Sequence, residues 1–184
     1  MSERDKERLS LIPVLAESHP SHHIGRTALM KYMYFLQTLR GVQLGYNFSM
    51  YSYGPFDADV LSDLSTAEAM NIVCSTQVSF AGGYGYRIQQ AAGAPRIKQD
   101  ANGFLSQHKA DIDWLLKEFG GLKSGELELA STIIYVDREF NDLQVHSEPA
   151  FLVGVVNEIK PRFSRECVET SFNSLFEKGL LVSV

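Results

Sequence analysis

The chain has 184 residues, 45% apolar and 21% charged, enough for one domain or two small lobes sharing a core. No run of about 18 apolar residues occurs, which argues against a membrane-crossing helix. The net charge of −5 is mild but uneven: Gly41 to Tyr86 holds no Lys or Arg, yet carries Asp57, Asp59, Asp63 and Glu68. The charged start, Met1-Ser2-Glu3-Arg4-Asp5-Lys6-Glu7-Arg8, lacks the apolar centre of a secretion signal, so a cytoplasmic protein is expected.

Leu9, Leu11, Ile12 and Leu15 form a first helical stripe that Pro20 ends. A second helix, Arg26 to Arg40, carries Leu29, Tyr32, Met33, Leu36 and Leu39 at helical spacing, with Met30, Tyr34 and Phe35 alongside. So wide an apolar face marks a helix buried on most sides, and Gly41 is a natural stop. Lys31 on this helix suits either a carboxylate partner or solvent.

Phe48 to Tyr53 alternates, with Phe48, Met50 and Ser52 on one side and Tyr51 and Tyr53 on the other, as in a short strand. Gly54-Pro55 is expected to stop it, because Pro lacks an N–H and presets the first turn of a helix. Phe56 completes an aromatic corner, and Asp57 and Asp59 then favour a helix N-terminus. That third helix runs to Met70 and buries Val60, Leu61, Leu64 and Ala67.

A hairpin follows, from the alternation of Ile72, Cys74, Thr76, Val78 and Phe80 and of Tyr84, Tyr86 and Ile88. A two-residue turn at Gly82-Gly83 would mix the faces. A three-residue loop, Gly82 to Tyr84, pairs Phe80 with Tyr86 and Val78 with Ile88, and the apolar pattern favours it. Residues 1–90 therefore read as a winged-helix-like lobe with a β-hairpin, and Gln90 to Ala101 as a linker.

Residues 102–184 read as a helical lobe packed on the first, so the expected fold is α+β and mostly helical. Its helix from Asn102 to Phe119 has the stripe Phe104, His108, Ile112, Leu115, Leu116 and Phe119, from which Trp114 points away, either onto another helix or toward a partner. The next helix, Glu126 to Phe140, buries Leu129, Ile133 and Val136. Ser147-Glu148-Pro149 signals another start, Ser164 caps the last helix, Gly179 closes it, and Leu180-Leu181-Val182 suggests a short strand. Cys74 and Cys167 lie far apart within apolar patterns and read as reduced core residues.

No catalytic set emerges. His19, His22 and His23 surround Pro20 without Cys or carboxylate at ligand spacing, so no metal is expected. His108 sits on an apolar stripe, as core histidines do. Gly82-Gly83-Tyr84-Gly85 is not followed by the Lys and helix of a phosphate loop. Neither cysteine has a basic neighbour to activate it. The chain is expected to be no enzyme and to need no cofactor.

Helix pairs of helix-turn-helix proportions raise DNA binding as a second reading, with Lys160, Arg162 and Arg165 as its cations. Glu166 and Glu169 oppose them, and the acidic helix after the corner would meet phosphates with no cation of its own. Charge therefore disfavours nucleic acid.

Lys31-Tyr32-Met33-Tyr34-Phe35-Leu36, Tyr51-Ser52-Tyr53-Gly54-Pro55-Phe56-Asp57, Asp63-Leu64 and Met70-Asn71-Ile72-Val73 together resemble the Panacea domain of SocA-like antitoxins. YwgA-like hypothetical proteins look similar too. The match covers about Ile24 to Val73, and only loosely Glu128 to Tyr135 and Lys160 to Leu180. The resemblance implies a bacterial or phage protein that binds another protein: a toxin, or a protease component when it serves as an adaptor. A homodimer is compatible with it. Tyr51, Tyr53, Gly54, Pro55, Phe56, Asp57 and Asp59 are the candidate contact residues, with Trp114 added because an exposed Trp often anchors an interface.

Overall fold

A computed structural model describes residues 1–80, 83–146 and 148–183. Its order is α1 (Glu3–Ser18), α2 (Arg26–Arg40), β1 (Ser49–Tyr51), β2 (Gly54–Phe56), α3 (Ala58–Ala69), β3 (Val73–Phe80) and β4 (Gly83–Gln90). Then come α4 (Ala94–Asp100), α5 (Asn102–Gln107), α6 (Lys109–Phe119), α7 (Ser124–Asp142), α8 (Pro149–Ile159) and α9 (Arg165–Glu177). The fold is α+β and mostly helical, with two separate antiparallel strand pairs, β1–β2 and β3–β4. No helix among the described residues is long and apolar enough to cross a membrane.

Contacts gather the chain into two units that divide it otherwise than at 90–101. One is Met1–Phe48 with Asp57–Leu122; the other is Ser49–Phe56 with Lys123–Val184. Residues 102–122 join the first unit because α6 packs on α2, where the Phe35 and Phe119 rings stack with centroids 4.2 Å apart.

In the first unit, Ser2 and Asp5 form a capping box that starts α1. The wide apolar face of α2 is buried, Leu29, Tyr32, Met33, Phe35 and Leu36 completely, and Lys31 is buried with them rather than solvated. Gly41 ends α2 with φ 68°, a conformation that glycine takes without a Cβ penalty. The expected linker contains α4 instead. Gly93 lies against the backbone of the α3 end, where a Cβ would come 2.8 Å from the carbonyl oxygens of Met70 and Asn71, and Pro95 presets the first helical turn. The single helix expected from Asn102 to Phe119 is broken at His108 into α5 and α6. His108 is half-buried and spends its Nδ1 on Asp111.

The β3–β4 register corrects the expected one. Phe80 pairs with Gly83, Val78 with Gly85 and Ser75 with Ile88, so Val78 lies across the sheet from Ile88 and Tyr86. Apolar alternation did not set this register, because the far half of the hairpin is largely exposed and has no core to bury against. Gly82 of the expected loop lies outside the described residues, as does Ser147 of the expected helix start. Cys74 and Cys167 are free and, contrary to expectation, exposed: Cys74 on the hairpin and Cys167 in the first turn of α9.

In the second unit, α7, α8 and α9 pack on one another around Leu127, Ile133, Ile134, Leu152, Val156, Val168, Phe172 and Leu175. Ser164 caps α9 by accepting from the Cys167 amide at 3.2 Å. Leu180-Leu181-Val182 is not a strand. The buried Asp137 carboxylate captures that segment, accepting from the amides of Val182 and Ser183 and from the Ser183 hydroxyl at 2.8–3.1 Å. A carboxylate with three such donors outcompetes a strand that would have no partner.

Candidate functional site

The expected strand and corner are a miniature hairpin. Tyr51 pairs with Gly54, Met50 with Pro55 and Ser49 with Phe56. Gly54 sits at φ 84°, which a side chain would resist. Pro55 does not stop the strand, because in a ribbon of two strands each is an edge, where a missing N–H is tolerated. Gly54 and Pro55 are buried, so they shape the turn and are not presented. Tyr51 and Tyr53 are 66% and 63% exposed. Phe56 is half-buried, its ring centroid 5.6 Å from that of Tyr51.

What holds the turn is a buried charge cluster. Lys160, the C-cap of α8, is 4% exposed, and Glu128 in the first turns of α7 is 2% exposed. The Lys160 ammonium lies 3.1 Å from Glu128 Oε1 and donates to the carbonyls of Tyr51, at 3.4 Å, and of Ser52. A buried ammonium needs such acceptors, since leaving water unpaired is costly. Arg162 closes on the same carboxylate through Nη2, and its guanidinium stands 5.3 Å from the Tyr53 ring centroid and 5.0 Å from that of Phe163. Beneath the ribbon, burial and then the Glu139 charge and hydrogen bond push the Tyr135 hydroxyl above the usual tyrosine range, while the Met50 backbone counters in part.

The remaining candidates belong to the first unit. Asp57 caps α3, accepting from the Asp59 amide at 2.8 Å, and also accepts from the Asn47 amide, so its carboxylate is committed to the fold. Asp59 is exposed. Trp114 is half-buried rather than exposed: it meets the Phe119 ring edge-on at 5.8 Å, and the Arg40 guanidinium covers it at 4.9 Å. Arg40 is itself held by Asp111 at 2.8 Å. Asp63 is buried with Arg8 at 2.9 Å and the Tyr46 hydroxyl at 2.7 Å, an internal network and not a surface charge.

The three cations of the DNA reading are engaged. Lys160 is buried, Arg162 pairs with Glu128, and Arg165 pairs with Glu169 at 2.8 Å along α9. Glu128 and the clamping role of Lys160 went unread in the sequence. One signal was present: Glu128 stands between Leu127 and Leu129-Ala130 in an apolar helix, and a carboxylate buried there requires a cation from elsewhere.

No family model matches the sequence, and no curated protein matches it.

Proposed function

We propose that this chain is a non-enzymatic, cytoplasmic protein that binds another protein through Tyr51 and Tyr53, as an antitoxin or adaptor of bacterial or phage origin. The observation that carries the reading is two largely exposed tyrosines on a turn whose backbone carbonyls are gripped by a buried lysine. Tyrosine offers large contact area at low entropic cost, and a turn already fixed loses little more on binding. The resemblance of Tyr51-Ser52-Tyr53-Gly54-Pro55-Phe56-Asp57 to the Panacea corner adds the toxin or protease component as the class of partner.

The test is affinity capture from the native cytoplasm with the wild type and with Tyr51→Ser/Tyr53→Ser, followed by titration of the purified partner. Both side chains are largely exposed, so the variant is expected to fold, losing about 1–2 kcal/mol with the Tyr51–Phe56 and Tyr53–Arg162 contacts. Loss of an aromatic anchor pair weakens binding by about 2 kcal/mol or more, roughly thirtyfold. A partner held equally by both proteins would refute the site. For the DNA alternative, a gel-shift titration over salt decides: steeply salt-dependent duplex binding at micromolar protein would overturn the preference.

A further inference from the structure

The helices of the second unit run up and down, and their side-chain contacts fix which ends meet. At one end, Glu128 near the start of α7 meets Lys160 and Arg162 of the α8–α9 turn. At the other, the Phe140 ring of α7 stacks on Phe151 in the first turn of α8 with centroids 5.9 Å apart. Arg138 of α7 donates to the Leu180 carbonyl just beyond α9 at 3.1 Å. The two ends lie roughly 18 Å apart along α7, taking 1.5 Å per residue between Glu128 and Phe140.

This second end is apolar at its surface. Leu143 is 70% exposed, Phe151 58%, Phe176 51% and Val145 42%. The backbone presenting Leu143 and Val145 is wound, not loose. The Val145 amide donates to the Phe140 carbonyl at 2.8 Å and that of Gln144 to Asn141 at 3.0 Å, with Gln144 at φ 56°. Phe151 stacks on Phe140 and Phe176 on Phe172, and large apolar side chains left exposed at one end of a bundle mark an interaction site. Around them stand the exposed carboxylates of Asp142, Glu148 and Glu177, with Lys178 and His146 as the neighbouring basic groups, while Glu139 is engaged by the Tyr135 hydroxyl. Arg138 is taken up by Asp137 and the Leu180 carbonyl.

We propose that this end of the α7–α9 bundle, formed by Phe140, Leu143, Val145, Phe151 and Phe176, docks a cationic amphipathic helix of another protein. The apolar centre takes the apolar face of such a helix, and the rim of carboxylates selects lysines and arginines along its flanks. A second copy of this chain is the wrong occupant, because its own carboxylate rim would face the same charges. The surface is independent of the tyrosine hairpin at the other end of the same helices.

Fluorescence anisotropy tests this with the full chain and two labelled synthetic helices of about five turns. Both have a leucine face; one is flanked by lysines and the other by glutamates. The lysine peptide is expected to bind, to weaken as salt is raised, and to lose about tenfold or more in affinity to Leu143→Ser/Phe151→Ser. Tyr51→Ser/Tyr53→Ser should leave it unchanged. Circular dichroism and urea titration check that each variant folds. No binding, equal binding of both peptides, or loss of binding in the tyrosine variant would overturn the proposal. So would concentration-dependent dimerisation abolished by Leu143→Ser/Phe151→Ser, which would give the surface to a second copy.

Discussion

The Lys160 ammonium stands 3.1 Å from the Glu128 carboxylate, with both side chains buried, although 31 residues separate them in the chain. Breaking a buried pair by removing one partner costs about 3–5 kcal/mol. Lys160→Met is therefore expected to lose about 3 kcal/mol, since Arg162 still covers Glu128 while the Tyr51 and Ser52 carbonyls lose their donor. Adding Glu128→Leu should restore only a small part of it, because the Tyr51 and Ser52 carbonyls still lack a donor. Urea unfolding measures both, and hydrogen exchange should show the β1–β2 ribbon opening in Lys160→Met. A ribbon that stays protected would mean the clamp does not hold the turn.

Asp137 accepts from three donors of Val182 and Ser183, the Val182 amide reaching both its oxygens, with no exposure to water. Asp137→Asn keeps the shape but loses the charge on those bonds, and hydrogen bonds to charged groups contribute about 1.5–3 kcal/mol. Limited proteolysis should then cut around Leu180 to Ser183 faster than in the wild type. Equal cutting rates would show that the segment is held otherwise.

Asp111 carries a pH prediction. Burial pushes its carboxyl up, but hydrogen bonds from His108 and Arg40 and the Arg40 charge outweigh burial and hold it below the ordinary aspartate range. With the folded value depressed, the unfolded chain binds more protons as pH falls. The stabilisation is therefore whole above the ordinary value of about 4 and is lost as pH drops through the folded value. Thermal unfolding of the wild type and Asp111→Asn should differ most near neutrality and converge in acid. A gap that widens toward acid would contradict this.

Gln144 occupies the left-handed region that closes α7, at φ 56°. A side chain there costs about 1 kcal/mol or more, which glycine avoids at some entropic cost in the unfolded chain. Gln144→Gly should thus raise stability by about 0.5–1 kcal/mol in urea titration. A loss would mean that the glutamine side chain makes a compensating contact.

What the sequence made legible were features whose causes are local. The span of α2, its stop at Gly41, a helix start at Asp57, the Ser164 cap and the mostly helical α+β class all follow from spacing and charge within a few residues. What it hid depended on distant residues. Pro55 reads as a terminator until a second strand reverses onto β1, and Gly93 and Pro95 read as linker until the α3 end lies against them. Lys160 reads as a phosphate contact until Glu128 arrives from another helix. Trp114, off its helix's stripe, reads as packed on another helix or facing a partner until Phe119 and Arg40 decide it. Cys74 shows the converse: the inward face of the hairpin is that of Val73, Ser75 and Ile88, so the alternation that includes Cys74 points outward.

The second unit takes Ser49–Phe56 from within the first, and this fixes an order of events on the ribosome. The ribbon leaves the exit tunnel long before Glu128 and Lys160 are translated, and a lone two-stranded ribbon is at best marginally stable in water. Until synthesis has passed Lys160, Tyr51 and Tyr53 ride on an unfixed segment. The aromatic turn thus acquires its shape only once Glu128 and Lys160 have followed it out of the exit tunnel, which delays recognition by any partner that reads that shape.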